Sequence, residues 1–406
     1  MTVHKSFVFS QEFENNKTHK KEKLKQDLVK QFYLEGQLSI HDLCKTVKMS
    51  APTVTRAVEE LIDQNMVIRT GIGDSSGGRR PGLFSINPSA HYAMAIDVER
   101  SFVKMAIFNF VNQPVSEIAE YNEGLDTLAD VPAFINEKIN ALLQVHKINK
   151  DKILGIGLSL PGLIDIRTGL SYTYLNDQKP VAEVITKLTG ITTYVEHDTK
   201  AMAWGEHTFG LAQGMQNVLC LNIGSGIGLS MILNGEIYNG HSGYSGEFGH
   251  IQIDSNGKLC HCGRRGCIET VAAGKSLIAN AKDGLKLGKG ADLIRMFNIE
   301  PEQITIPIIL EAARNGNQFA TDLLIQAGEA LGRGIAVLVH LFNPELIILG
   351  GEMSKASDFL INPIMENIEI HTIERIRKDA RLVVSELGGN ARIMGSLALV
   401  MNKIFA

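Results

Sequence analysis

VLCLNIGSGIGLSMIL, residues 218–233, gives the architecture away. Two apolar runs, Val218–Ile223 and Ile227–Leu233, flank a glycine turn, and Gly235 marks a further hairpin after them. This is strand–turn–strand. The same unit stands earlier, where Tyr92–Asp97 and Phe102–Asn109 flank the turn at 97–101. Its recurrence predicts two related lobes around a cleft. Outward from the two units, Pro114–Glu120 reads as a third strand, Leu128–Val145 as a helix, and Ile153–Leu160 and Thr193–Glu196 as strands followed by helical sequence. Ile268–Lys286, Pro307–Asn315 and Phe319–Leu341 carry helical periodicity, and Leu346–Leu349 reads as a buried strand. Alternating strands and helices indicate α/β architecture.

A chain of 406 residues is too long for one core and calls for more than one domain. With 44% hydrophobic and 21% charged residues, it is neither disordered, collagenous nor a coiled coil. No run of eighteen apolar residues suggests a membrane span, and the N-terminal stretch lacks the pattern of a secretory signal. Three of the five cysteines lie within Cys260–Cys267, which suits a cytoplasmic protein with a metal site better than a disulfide framework. The net charge of −4 is unevenly spread: residues 1–80 carry 13 Lys/Arg against 10 Asp/Glu, and the remainder 27 against 34. A basic module on an acidic body suggests a head for a polyanion.

That head is legible in outline. Residues 1–20 are polar, without periodicity, and are expected to form a flexible arm. From Lys21 to Phe32, Leu24, Leu28 and Phe32 recur every four residues as in an amphipathic helix. After the turn at Glu35-Gly36-Gln37 a short helix passes through Leu43 and Val47. Ser50 can cap the next helix, with Pro52 near its start and Val54, Val58, Leu61 and Ile62 as its apolar stripe. Val67–Thr70 and Leu83–Ile86 flank a Gly/Ser-rich loop from Gly71 to Gly78. Three helices and a hairpin over 21–86 make a winged helix-turn-helix.

The strongest chemical signal is His250-x9-Cys260-x-Cys262-x4-Cys267. Thiolates gathered by glycine turns, with one imidazole, suit tetrahedral Zn2+ as a structural ion, and His261 competes for the fourth place on spacing alone. In Asn222–Gly228, the glycines around Gly224, Ser225 and Gly226 allow backbone N–H groups to approach an anion. A plain hairpin reads as well there. The matching turn of the first unit, Asp97-Val-Glu-Arg-Ser101, has no glycine and is a poor phosphate cradle. Carboxylates suited to vicinal sugar hydroxyls stand at Asp198 beside His197, at Glu247 and at Glu269, the last two bracketing the metal loop.

Taken together, IGLSLPGLID (156–165), EHDTKA (196–201), NIGSGIG (222–228), GEFGHIQ (246–252), CHCGRRGCIET (260–270) and LFNPELIILGGE (341–352) resemble the ROK family of repressors and sugar kinases over essentially the whole chain. The resemblance implies a two-lobed actin/hexokinase-like, ribonuclease H-like α/β fold behind the winged-helix head. Lobes are expected at 87–198, completed by a C-terminal helix over 390–406, and at 199–389. It implies zinc on His250, Cys260, Cys262 and Cys267, and effector contacts from Asn176, His197, Asp198, Glu247, His250 and Glu269 in the cleft. In the family's kinases, the counterpart of Asp198 is the general base. The chain departs from them in two places: their glycine-rich phosphate turn is DVERS here, and their Asn before the catalytic Asp is His197.

The expected function is therefore a sugar-responsive transcriptional regulator, a repressor without turnover. Operator DNA would be read by Thr53, Thr55 and Arg56, with Arg79 and Arg80 reaching into a minor groove. The effector would be a sugar or sugar phosphate, and the protein a homodimer or homotetramer. An ATP-dependent hexose or N-acylhexosamine kinase with a regulatory head is the alternative. A scaffold for a protein partner, such as a sugar-transport component, is a third.

Overall fold

The structure, a computed structural model, describes residues 16–73, 80–165, 168–175 and 179–405. Among the expected site residues, Arg79 and Asn176 lie outside the described residues, as do residues 1–15 of the expected arm.

The chain divides into two units: residues up to Leu160 with Tyr174–Val195 and Ser396 onward, and Pro161–Thr173 with Glu196–Gly395. The head belongs to the first unit, Pro161–Thr173 belongs to the second, and the C-terminal helix is shared. The lobe boundaries expected from the sequence fall at 198/199 and 389/390, and the contact-based division falls elsewhere. Contacts decide this, and sequence order does not show them.

The first unit opens with α1 (Asn16–Glu35), β1 (Leu38–Ser39), α2 (Ile40–Val47), α3 (Ala51–Asp63), β2 (Val67–Ile72) and β3 (Gly82–Ile86). Residues 16–20 are thus helical, which corrects the arm expected to reach residue 20. The three strands pair in the order β1-β3-β2. Leu24, Leu28 and Phe32 of α1 are buried, as are Leu43 of α2 and Val54, Ala57, Val58 and Leu61 of α3. Ser39 and Asp42 close a capping box at α2: the Ser39 hydroxyl accepts from the Asp42 N–H at 3.2 Å, and Asp42 accepts from the Ser39 N–H at 3.1 Å. Ser50 does stand at the cap of α3. Its hydroxyl, however, meets Thr53 Oγ1 at 2.8 Å and accepts no backbone N–H.

The same unit continues with β4 (Tyr92–Val98), β5 (Val103–Asn109), β6 (Ala119–Tyr121), α4 (Val131–Val145), β7 (Ile153–Leu160), α5 (Val181–Thr189) and β8 (Thr193–His197). The strand expected over 114–120 shrinks to β6, with only a bridge at Pro114. Pro114 has no N–H to give a ladder.

The second unit holds α6 (Asp198–Phe209), β9 (Val218–Ile223), β10 (Ile227–Leu233), β11 (Glu236–Ile237), α7 (Glu269–Ala272), α8 (Gly274–Lys286), α9 (Ala291–Phe297), α10 (Ile306–Arg314), α11 (Gln318–Phe342), β12 (Leu346–Gly350), α12 (Ser357–His371), α13 (Glu374–Arg377), β13 (Arg381–Val384) and most of the first half of α14 (Ala391–Phe405). The single helix expected over 268–286 is broken at Ala273, which is extended so that the Gly274 N–H donates to the Gly224 carbonyl at 2.8 Å. Among the described residues, α11 alone is long and apolar enough to cross a membrane, and two thirds of its most apolar window is buried in the core.

The two five-stranded sheets have one plan. Their orders are β6-β5-β4-β7-β8 and β11-β10-β9-β12-β13. In each, an antiparallel hairpin lies beside strands added in parallel. The repeat read from the two strand–turn–strand units is therefore a repeat of whole sheets, in the α/β actin-like, hexokinase-like fold.

Candidate functional site

The N-terminus of α6 sets Asp198. Its Oδ1 accepts from the Thr199 N–H at 2.6 Å and the Thr199 hydroxyl at 3.1 Å, and its Oδ2 lies 3.4 Å from Asn222 Nδ2 on β9. His197 caps the same helix, its Nδ1 accepting from the Thr199 N–H at 3.3 Å. The helix N-terminus favours the carboxylate. Two neighbours escaped the sequence reading as site residues. Asn222 is buried and anchors Asp198 to the sheet. Lys200 is buried too, and its Nζ donates to Asn239 Oδ1 at 2.8 Å and to the Gly243 carbonyl at 2.7 Å. Burial lowers its pKa. It ties α6 to the loop that runs on to Glu247. A lysine two residues after a motif aspartate carries no sign of such a bond.

His250, Cys260, Cys262 and Cys267 converge, their ligand atoms all within 4.8 Å of one another. Cys262 and Cys267 sulfurs are 3.6 Å apart, and Cys260 Sγ is 3.6 Å from His250 Nδ1. A tetrahedral ion with bonds of about 2.3 Å to sulfur spaces two thiolates about 3.8 Å apart, so the donor set fits a metal, whereas a disulfide needs about 2.05 Å. Burial and the neighbouring thiols raise the Cys267 pKa, while the Arg264 N–H lowers that of Cys262. His261, left open as a fourth ligand, turns instead to Glu269, with Nε2 2.9 Å from Oε1.

Glu269 is more enclosed than Asp198 or Glu247. Lys275 Nζ pairs with its Oε1 at 2.8 Å, and its Oε2 lies 3.4 Å from the Ile227 N–H beside the glycine turn. Despite the cost of burial, Lys275, with His250 and His261, holds its pKa below the usual carboxylate range. Glu247 is open to solvent, 4.0 Å from His250 Nε2. With Nδ1 toward the sulfurs, His250 keeps Nε2 for another partner. Asp198, Glu247, His250 and Glu269 all belong to the second unit.

The two turns differ sharply. Gly224 has open space where a side chain would stand, and Ser225 is exposed. The DVERS turn is braced by its own chain, with Arg100 and Ser101 exposed: the Leu125 and Asp126 N–H groups donate to the Glu99 and Arg100 carbonyls at 3.0 and 2.8 Å. Arg100 forks onto Asp126 with contacts of 3.2 and 2.9 Å. A methyl group on Gly124 would strike the carbonyl oxygens of both Glu99 and Arg100.

On the head, Thr53, Thr55, Arg56 and Arg80 are all exposed. Glu60 gathers Lys21 at 2.7 Å, Lys25 at 3.1 Å and Arg56 at 3.5 Å, tying α1 to α3 while Arg56 stays largely in solvent. Arg69 of β2 grips both oxygens of Glu59 on α3 at 2.6 and 2.7 Å, fixing the wing against that helix.

A comparison with known families matches residues 95–403 to the ROK family. The chain belongs to the ROK family. It is 28% identical over 373 residues to the xylose repressor of Caldicellulosiruptor bescii, covering 90% of this chain and 92% of that one. A solved ROK family transcriptional regulator, described as a homologue of the Escherichia coli Mlc protein, superposes with a TM-score of 0.79 at 29% identity. That match covers 95% of this chain and 97% of the other. The ROK family glucokinase of Streptomyces griseus, solved with glucose and AMPPNP, superposes at 0.66 and 27% identity. It covers 77% of this chain and 99% of its own.

Proposed function

We propose that this ROK protein is a sugar-responsive transcriptional repressor that binds operator DNA through residues 21–86 and carries no kinase turnover. The observation that carries the reading is the head itself: a winged helix exposing Thr53, Thr55 and Arg56 on α3, in a chain matched nearly end to end by a ROK regulator. The sugar or sugar phosphate is held by Asp198, Glu247, His250 and Glu269, with His197 capping α6 beneath and Asn176 a further contact. The ion is structural zinc on His250 Nδ1, Cys260, Cys262 and Cys267. It fixes the imidazole tautomer so that Nε2–H faces a sugar hydroxyl. Two heads on adjacent half-sites require at least a homodimer. A protein with these parts works in the cytoplasm.

Arg56→Ala is expected to weaken binding to a duplex selected by the protein from random DNA by about 1–3 kcal/mol, if the guanidinium is bidentate to a guanine. Replacing Arg79 and Arg80 should lower affinity most on A·T-rich flanks. Fluorescence anisotropy at fixed salt checks both. Wild-type affinity in Arg56→Ala would remove α3 from the interface.

The kinase alternative meets a DVERS turn that has no glycine and is braced by residues 124–126. Phosphoryl transfer depends on positioning the nucleotide phosphates and neutralising their charge, and Arg100 is engaged with Asp126. A coupled assay with Mg-ATP over xylose, glucose and N-acetylhexosamines should show background rates only. Turnover on the order of 1 per second, typical of kinases, would restore that alternative with Asp198 as general base.

A further inference from the structure

The helix α14 has two different neighbourhoods. Its first residues, Ala391–Gly395, belong to the second unit, and Ser396 onward to the first. At the beginning it lies on α6 with almost no side chain between. A Cβ on Gly395 would collide with the Ala201 carbonyl oxygen, and one on Gly205 with that of Ala391. This is the helix that opens with Asp198. Further on, Ser396 Oγ donates to the Ile96 carbonyl of β4 at 3.0 Å, and a Cβ on Gly157 of β7 would strike the Ser396 carbonyl.

At the far end, Phe405 reaches the DNA head. Its ring stacks on Tyr33 of α1 with centroids 4.5 Å apart, and on Phe110 at 6.2 Å. The Tyr33 hydroxyl accepts from Asn112 Nδ2 at 2.8 Å, and Lys30 Nζ donates to the Phe405 carbonyl. Tyr33 and Lys30 stand on the helix whose Lys21 and Lys25 hold Glu60 of α3.

We infer that α14 carries the state of the Asp198 site to the DNA head, with the Phe405–Tyr33 stack as its clasp. The inference rests on the sugar-responsive reading above. Backbones packed without intervening side chains do not yield by small rotamer adjustments, so a shift of α6 moves the start of α14. A helix hydrogen-bonded along its length passes the shift on. The aromatic clasp then decides whether α1 follows. None of Phe405, Tyr33 or Phe110 is placed in the DNA or sugar site, so the clasp can be loosened without touching either.

The test uses the full chain, a duplex selected from random DNA, and xylose, glucose, N-acetylglucosamine and their phosphate esters. In the wild type, the active sugar should weaken duplex binding by roughly 5–150-fold. In Phe405→Ala that factor should fall below about threefold, with the sugar affinity of the free protein within about twofold of wild type. Tyr33→Phe, which keeps the stack and drops the Asn112 bond, should retain most of the coupling. An unchanged factor in Phe405→Ala overturns the clasp. If no sugar alters wild-type duplex binding, the sugar-responsive reading fails and hydrogen exchange judges the clasp. Duplex binding should then change exchange at residues 391–395 and 201–205 in the wild type and leave it unchanged in Phe405→Ala. No change there in the wild type overturns the inference.

Discussion

Cys267→Ser is expected to empty the metal cluster and to take most of the sugar affinity with it. Cys267 is fully buried, 3.6 Å from Cys262, and followed two residues later by Glu269 at the start of α7. Between Ile251 and Ile268 the chain has no helix or strand of its own, only isolated bridges at Gln252–Cys267 and Leu259–Arg265. Backbone bonds within the loop, such as Cys260 N–H to the Arg264 carbonyl at 2.7 Å, offset only part of its conformational entropy. The proposed zinc would supply the difference; structural zinc contributes about 10–16 kcal/mol in small zinc domains. Losing one of four ligands should cost several kcal/mol here, on the order of 10 °C in Tm. Sugar affinity should fall on the order of 10–100-fold, because His250 and Glu269 lose their fixed positions. Elemental analysis should give one zinc per wild-type chain and far less in the variant. A variant that keeps its zinc, or loses it with sugar affinity intact, would separate the metal from the site.

The parts of this molecule that were legible in the sequence are those written in short-range pattern. The 218–233 hairpin, the α1 stripe of Leu24, Leu28 and Phe32, and the clustered cysteines each declare themselves within twenty residues or so. What escaped depends on distant partners. The helix over 357–371 and the strand at 381–384 carry no capping or turn signal strong enough to isolate them, and only the ladder to β12 makes the latter a strand. The break at Ala273 is invisible until Gly274 is seen bonded to Gly224, fifty residues earlier. Both His250 and His261 stand near the thiols in sequence; in the structure His250 joins the three cysteines, while His261 lies 2.9 Å from Glu269. DVERS was recognisable as a poor phosphate turn from its missing glycines. That residues 124–126 brace it required knowing where Gly124 lies.

Asp198→Asn should abolish most of the sugar response while leaving the DNA head untouched. Asp198 Oδ1 is occupied by both the N–H and the hydroxyl of Thr199, and Oδ2 faces Asn222 Nδ2. An asparagine can keep its carbonyl oxygen toward Thr199, but its NH2 then faces the Asn222 NH2, donor against donor. A sugar hydroxyl that donated to the carboxylate meets a second donor in the same place. A hydrogen bond to a charged group is worth about 1.5–3 kcal/mol, so sugar affinity should drop on the order of 10–100-fold. The exposed residues of α3 lie in the other unit, and duplex affinity without sugar should stay within about twofold of wild type. Linkage sets a sterner requirement on the wild type. If sugar weakens operator binding by some factor, operator must weaken sugar binding by the same factor. Calorimetric titration of sugar with and without the selected duplex measures it directly. Equal affinities in the two titrations would mean that the sugar is not the inducer. That outcome would favour the alternative in which a protein partner, such as a sugar-transport component, is what the chain binds.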